Sequence, residues 1–379
     1  MSASERVELF DIRSSYLELR EEIDAAIAAV VDSHQFIGGP EVRRLEGALA
    51  EYCGTRHAIG LSSGTDALLL ALWALEVGAG DEVITTPFTF MATAGVIPRL
   101  GATAVFVDID PASFNLDPAA VEAAIGPRTK AIIAVHLFGA CSAMDRLGTI
   151  AERHGLPLIE DAAQAIGATH GGRRAGSLAR AGCFSLFPTK NLGAFGDGGF
   201  ATTDDDELYQ RLVLLRSHGS RDKQTFERLG GNFRLDAIQA AVVAVKLRRL
   251  EGWNERRAAI ATHYREAFAE RGLAGRGLVA PAATAERHVY HLFVCRVPRR
   301  DEVVAGLEAR GIGARAYYTV PLHRQPALRG LSRVSGRLPN VERAAAENLV
   351  LPMHPFLRDD DVERVADALR ETLDALEIR

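Results

Sequence analysis

A lysine placed just beyond a buried strand can do chemistry that a solvated lysine cannot. In C-F-S-L-F-P-T-K-N, residues 183–191, an apolar run ends at Phe187-Pro188 and gives way to Thr189-Lys190-Asn191. Burial penalises an ammonium, so such an amine is held more readily in the neutral form that makes an imine with a carbonyl. The chain has four lysines, Lys130, Lys190, Lys223 and Lys246. Lys130 sits in a polar P-R-T-K turn, and Lys223 in the polar segment S-R-D-K-Q-T-F-E. Lys246 falls on an amphipathic helix, where a solvated face suits it. Lys190 is therefore the best candidate of the four for imine chemistry. The glycine-rich stretch that follows (193–199) allows a backbone path that bulky residues would block.

Two further motifs sit at strand ends. Glu160 and Asp161 close the apolar run L-P-L-I-E-D, residues 156–161. Ligands of open α/β sheets bind beyond the carboxyl ends of the strands. A carboxylate there is costly without a partner. A protonated ring nitrogen of a ligand is one partner, and the start of the next helix is another. Gln164 lies one turn further on and reaches the same space. Earlier, S-S-G-T (62–65) joins the run H-A-I-G-L to a helical run. A glycine turn at a helix N-terminus suits a phosphate, because free N–H groups and the positive end of the helix dipole converge there. An ordinary Ser/Thr-capped turn has the same residues. The stretch is neither G-x-G-x-x-G nor a P-loop, so a dinucleotide or a nucleoside triphosphate is not indicated.

These residues need a scaffold, and the pattern supplies one. Short apolar runs at 57–61, 82–86, 104–109, 131–135, 156–161, 183–187 and 199–203 alternate with helical runs. That alternation predicts an α/β fold with a mainly parallel, helix-covered sheet. Ahead of it lie helical runs at 17–31 and 41–53. The sheet pattern fades after Thr203, and a long helical region spans 235–271. A strand candidate H-V-Y-H-L-F-V-C-R-V (288–297), a helix and a proline-containing loop follow. A last helix opens on Asp359 to Asp361, residues that suit a helix N-terminus. The expected division is a large ligand-binding domain, 1–250, with its N-terminal helical segment, and a smaller C-terminal α+β domain, 251–379.

Composition narrows the function classes. The chain has 379 residues, 47% hydrophobic and 25% charged, with net charge −5. Nucleic-acid and membrane partners favour a basic excess, which is missing here. No run reaches the length of a membrane span, and Met1 to Arg13 lacks the apolar core of a signal peptide. The four cysteines, Cys53, Cys141, Cys183 and Cys295, are far apart. Neither a disulfide framework nor a metal site is expected, and the cytoplasm is the expected compartment.

Taken together, S-S-G-T, E-D-A-A-Q-A, F-S-x-x-P-T-K-N-L-G-A-F-G-D-G-G and G-G-N-F-R-L-D-A-I-Q-A-A resemble the DegT/DnrJ/EryC1/StrS family. These are pyridoxal 5'-phosphate (PLP) dependent sugar aminotransferases of the aspartate aminotransferase fold, fold type I. The resemblance runs from F-D-I-R-S-S-Y to the last helix. It implies that Lys190 forms the internal aldimine and shuttles the proton, and that Asp161 pairs with the pyridine nitrogen. It puts Gln164 near the ring hydroxyl, and Gly64, Thr65 and Ser185 around the phosphate. Phe90 is implied to stack on the ring, with Phe88 as the alternative and core packing as the plain reading of either. Asn232 is implied to reach the phosphate from a neighbouring subunit, which requires a homodimer with shared active sites. Arg234 and His323 match positions that some relatives use for nucleotide-sugar binding. Tyr317 and Tyr318 are candidates for the pocket wall, and His218 contacts the sugar or caps a turn.

Some relatives carry histidine at the aldimine position and act as sugar dehydratases. Lys190 favours transamination here. The stretch K-N-L-G-A-F-G-D-G-G resembles relatives acting at C3 of a keto-sugar. The implied reaction moves an amino group from L-glutamate to a dTDP- or UDP-linked 3-keto-hexose by a ping-pong cycle through pyridoxamine phosphate (PMP). A glutamine-dependent keto-inositol aminotransferase, a non-sugar amine transaminase and a PLP-binding regulator without turnover are the alternatives.

Overall fold

The computed structural model describes residues 6–284 and 286–378, so the first five residues of the N-terminal stretch lie outside it. All seven apolar runs are strands. They are β1 His57–Leu61, β2 Glu82–Thr85, β3 Thr103–Phe106, β4 Thr129–Val135, β5 Leu158–Asp161, β8 Ala181–Ser185 and β9 Gly199–Thr203. A small hairpin, β6 Thr169–His170 and β7 Arg173–Arg174, lies between β5 and β8. The C-terminal part adds β10 Phe293–Arg296, β11 Ser332–Val334 and β12 Asn348–Leu351. The main sheet has eight strands in the order β1-β9-β8-β5-β4-β2-β3-β11. Only β9 runs antiparallel to its neighbours.

Period-2 alternation sorts the strand residues into two layers. Val83 and Ile133 pack into a core with the helices Gly64–Ala74, Met91–Arg99 and Asp206–Arg216. Ile84 and Ile132 pack on the opposite side, with Pro118–Ala124 and Met144–Arg153. Burial on both faces is why these strands read as continuous apolar runs. A separate core joins β10 and β12 to the helices Leu250–Glu270, Arg300–Ala309 and Asp359–Ala375. The architecture is thus a large, mostly parallel, helix-covered sheet with a smaller α+β unit. No helix among the described residues is long and apolar enough to cross a membrane.

Four local expectations need correction. The helical region 235–271 is two helices, Ala237–Leu247 and Leu250–Glu270, broken by a turn at Arg248-Arg249. The strand expected at 288–297 is only β10, because residues 289–292 pack on the Leu137–Gly139 turn, where the Val289 N–H donates to the Gly139 carbonyl. A Cβ at Gly139 would stand 2.9 Å from the backbone nitrogens of Tyr290 and His291, which shows how closely the two segments approach. Lys130 is the second residue of β4, not part of a turn. Lys246 is buried, not solvated: its Nζ donates to the Gly193 carbonyl at 2.7 Å and lies 4.6 Å from the centre of the Phe195 ring.

Candidate active site

A cavity of about 740 Å³ opens where the parallel strands end. Its floor holds Val135, Asp161 and Ser185, the last residues of β4, β5 and β8. Two helix starts, Ser63-Gly64 and Phe90, close one side, while Tyr317 and Tyr318 stand on another wall. This is the position at which open α/β sheets bind ligands.

Glu160 and Asp161 separate because a strand alternates. Glu160 is fully buried, away from the cavity. It accepts hydrogen bonds from the Gly176, Leu178 and Ala179 N–H groups and pairs with His136 Nε2 at 3.0 Å. It anchors the loop between β7 and β8. Asp161 faces the cavity. Its Oδ2 accepts from Thr93 Oγ1 at 2.6 Å and its Oδ1 from the Ala163 N–H at 3.3 Å. Burial holds the Asp161 carboxyl above its ordinary range, against those hydrogen bonds and the nearby charge of Lys190. A buried carboxylate so placed would gain from a cationic partner in the cavity, such as a protonated ring nitrogen.

Lys190 follows the end of β8 and lines the same cavity. Burial lowers its amine to about 8, and Asp161 opposes the drop. Asn191 is fixed behind it by bonds from its Nδ2 to Asn254 Oδ1 and the Val289 carbonyl. His291 meets Asn191 Oδ1 at 3.2 Å, and burial, with Lys190 second, pushes its pKa well below the usual histidine range. A histidine that burial disfavours in its charged form thus shares the cavity lining with the lysine.

The Ser63–Thr65 turn is pressed against the strand ends. A Cβ on Gly64 would fall 2.7 Å from Ser185 Cβ, and one on Gly199 would fall 2.3 Å from the Ser63 carbonyl carbon. Glycine at both positions lets the helix start, Ser185 and β9 meet at the cavity floor. Ser63 caps this helix by accepting from the Asp66 N–H at 3.1 Å.

The two candidate aromatics are placed differently. Phe88 is fully buried among Phe114, Phe138 and Tyr318. Phe90 is 59% exposed and faces the cavity. Gln164 accepts from the Phe138 N–H at 2.8 Å and donates to Tyr318 Oη at 3.3 Å, so it too is fixed on the wall.

Gly64, Thr65, Phe90, Asp161, Gln164, Ser185, Lys190, Tyr317 and Tyr318 thus come together around one space. Asn232, Arg234 and His323 are not among the residues lining it. Asn232 is exposed and bridges to Ser217. Arg234 bridges to Leu61 through the backbone. His323 Nε2 pairs with Glu342 at 3.0 Å. His218 is exposed in a turn, with its N–H donating to the Gly231 carbonyl. Sequence reasoning missed Thr93, His291 and Arg315. Thr93 lies four residues after Thr89, and His291 interrupts an apolar run; each was a visible signal. Arg315 had none.

A family model for the DegT/DnrJ/EryC1/StrS aminotransferase family matches residues 17–370. A Streptomyces venezuelae protein named dTDP-3-amino-3,4,6-trideoxy-alpha-D-glucose transaminase is 47% identical, over 97% of this chain and 96% of its own. A "Pleiotropic regulatory protein" of Geobacillus stearothermophilus is 47% identical, over 96% of this chain and 98% of its own. The crystal structure of S. venezuelae DesV with a ketimine intermediate superposes with a TM-score of 0.94 at 46% identity, covering 98% of this chain and 99% of that one.

Proposed function

The chain belongs to the DegT/DnrJ/EryC1/StrS aminotransferase family, and from that premise we propose that it aminates a nucleotide-linked keto-sugar with PLP held in the cavity described above. The observation that carries the reading is one cavity holding both a lysine amine lowered to about 8 and a buried carboxylate raised above its range. When bound, PLP supplies an electrophilic carbonyl and an electron sink, and carries the amino group as PMP between two half-reactions.

The chain's own residues have distinct tasks. Lys190 would hold the cofactor, and its Nζ would take and return the proton at the substrate carbon. Asp161, oriented by Thr93, would face the ring nitrogen and favour its protonated form. Gly64, Thr65 and Ser185 hold the phosphate at the start of the helix Gly64–Ala74, where N–H groups and the dipole favour an anion. Gln164 would sit beside the ring hydroxyl, and Phe90 would cover a ring face. Tyr317 and Tyr318 line the path of the acceptor, with Arg234 and His323 as further substrate residues. Asn232 reaches the phosphate bound by a second copy of the chain. Exposed apolar residues near it in sequence, Phe226 at 62% and Leu229 at 85%, support a buried role in a homodimer. The donor is L-glutamate and the acceptor a dTDP- or UDP-linked 3-keto-hexose, the keto position resting on the name of the S. venezuelae relative. The compartment is the cytoplasm.

The test is the visible spectrum of the protein with PLP, before and after L-glutamate. A yellow band that bleaches with glutamate and returns with a 3-keto nucleotide sugar supports the reading. Bleaching by glutamine and recovery with a keto-inositol would move the substrate to a cyclitol. Failure to form the band would remove the cofactor and with it the enzyme reading.

A further inference from the structure

The cations lining the cavity are Arg6, Lys190 and Arg315. Two of them are committed. Lys190 is on the floor with Asp161. Arg6 is paired with Glu308 at 2.6 Å and with Glu8 at 3.5 Å. Arg315 is exposed at the rim; its guanidinium makes no hydrogen bond or ion pair among the described residues, although its charge, after that of Arg6, helps to hold the nearby Glu308 carboxyl below its ordinary range.

Its backbone, in contrast, is fixed. The Arg315 N–H donates to the Val350 carbonyl at 3.2 Å and its carbonyl accepts from the Val350 N–H at 2.8 Å, on β12. Two residues on, the Tyr317 N–H donates to Asn348 Oδ1 at 2.7 Å. A planar donor set with no hydrogen-bonded partner is therefore carried on a fixed edge, two residues before the first tyrosine of the wall. Such a guanidinium matches the oxygens of a phosphate or carboxylate.

We propose that Arg315 is a specificity residue that binds the diphosphate of the nucleotide-sugar acceptor. The inference rests on the function proposed above and names the group that the rim recognises. Depth separates the diphosphate from the donor's α-carboxylate. The α-carboxylate of an amino donor is one bond from the reacting carbon, so it must lie on the floor near Lys190. The diphosphate of a sugar reacting at C3 is remote from that carbon and falls toward the rim. Contact there adds binding energy that orients the acceptor without entering the chemistry. An uncharged keto-inositol offers Arg315 nothing, so this residue also separates nucleotide sugars from cyclitols.

The test is calorimetric binding of dTDP-glucose and UDP-glucose, which need no turnover, to the PLP-loaded protein and to its Arg315→Gln and Arg315→Lys variants. Arg315→Gln should weaken at least one of the two by about tenfold or more, with a shallower dependence on salt, and Arg315→Lys should recover part of the loss. Steady-state kinetics form the second arm: the acceptor KM should rise about tenfold while kcat holds. Unchanged binding in Arg315→Gln, or no binding to the unaltered protein, overturns the proposal. A rise in the L-glutamate KM in place of the acceptor KM assigns the guanidinium to the donor's side-chain carboxylate and also overturns it. Loss of the proposed function itself would be seen separately, as a PLP spectrum that no amino donor changes.

Discussion

At the scale of single residues, the site depends on two groups whose surroundings push them toward each other's needs. Burial lowers the Lys190 amine to about 8, whereas an ordinary lysine titrates near 10.4. The neutral fraction grows with pH, so attachment of PLP to the cofactor-free protein should accelerate from pH 6 to 9 and reach half its maximum near 8. Stopped-flow absorbance would read this directly. A midpoint near 10 would mean that burial is not felt. Lys246 is also lowered to about 8, so the profile must vanish in Lys190→Ala. Thr93 is a positioning residue: it donates to Asp161 at 2.6 Å and does no chemistry of its own. Thr93→Val keeps the shape and removes a donor to a buried carboxylate, which should cost about 10–100-fold in kcat/KM. Thr93→Ser should restore most of it, an outcome that lost packing alone would not give. Lys190 and Asp161 were legible in the sequence because each is a polar residue at the end of an apolar run. Lys246 misled for the converse reason: a helical pattern does not show which of its polar positions another segment covers, and Gly193 and Phe195 cover this one.

At the scale of elements, the site is made where two helix starts and three strand ends meet. The closeness of that meeting is a matter of missing side chains. Gly199→Ala would drive a Cβ to within 2.3 Å of the Ser63 carbonyl carbon, and backbone cannot yield as a flexible side chain can. The variant should lose about 1–3 kcal/mol of stability, and PLP should bind it at least about tenfold more weakly, because the same shift spreads the phosphate turn. Gly47 is the control. It is exposed in the helix Gly39–Cys53 with nothing within 4 Å of its Cβ position, so Gly47→Ala should stabilise by roughly 0.5–1 kcal/mol and leave PLP binding alone. Thermal melts and PLP titrations of both variants check the pair. The glycines of 193–199 were visible as a motif, but their partners were not, since a close approach between Gly199 and Ser63, far apart in the chain, leaves no local trace.

At the scale of the whole molecule, the expected homodimer makes a statement that can be tested by mixing. If Asn232 serves the site of a second copy, Lys190→Ala and Asn232→Ala fail in different halves of a shared site. Subunits exchanged at equal amounts should recover about a quarter of the unaltered activity, because half the dimers are mixed and each has one intact site. Recovery near zero would put Asn232 in its own subunit's site, and an Asn232→Ala protein that is fully active by itself would put it out of the reaction. The division near residue 250 stands as a proposal; at least one strand of the C-terminal part, β11, pairs with β3 of the large sheet. By itself the sequence determined the class of fold and pointed to candidates for the chemistry, because buried parallel strands, glycine turns and polar strand ends are local patterns. Tertiary structure alone decided that Asp161 faces the cavity while Glu160 holds a loop, that Phe90 faces the cavity while Phe88 fills the core, and that Arg315 stands at the rim. Those choices depend on which face another segment covers, and contacts between distant segments leave no periodicity in the chain.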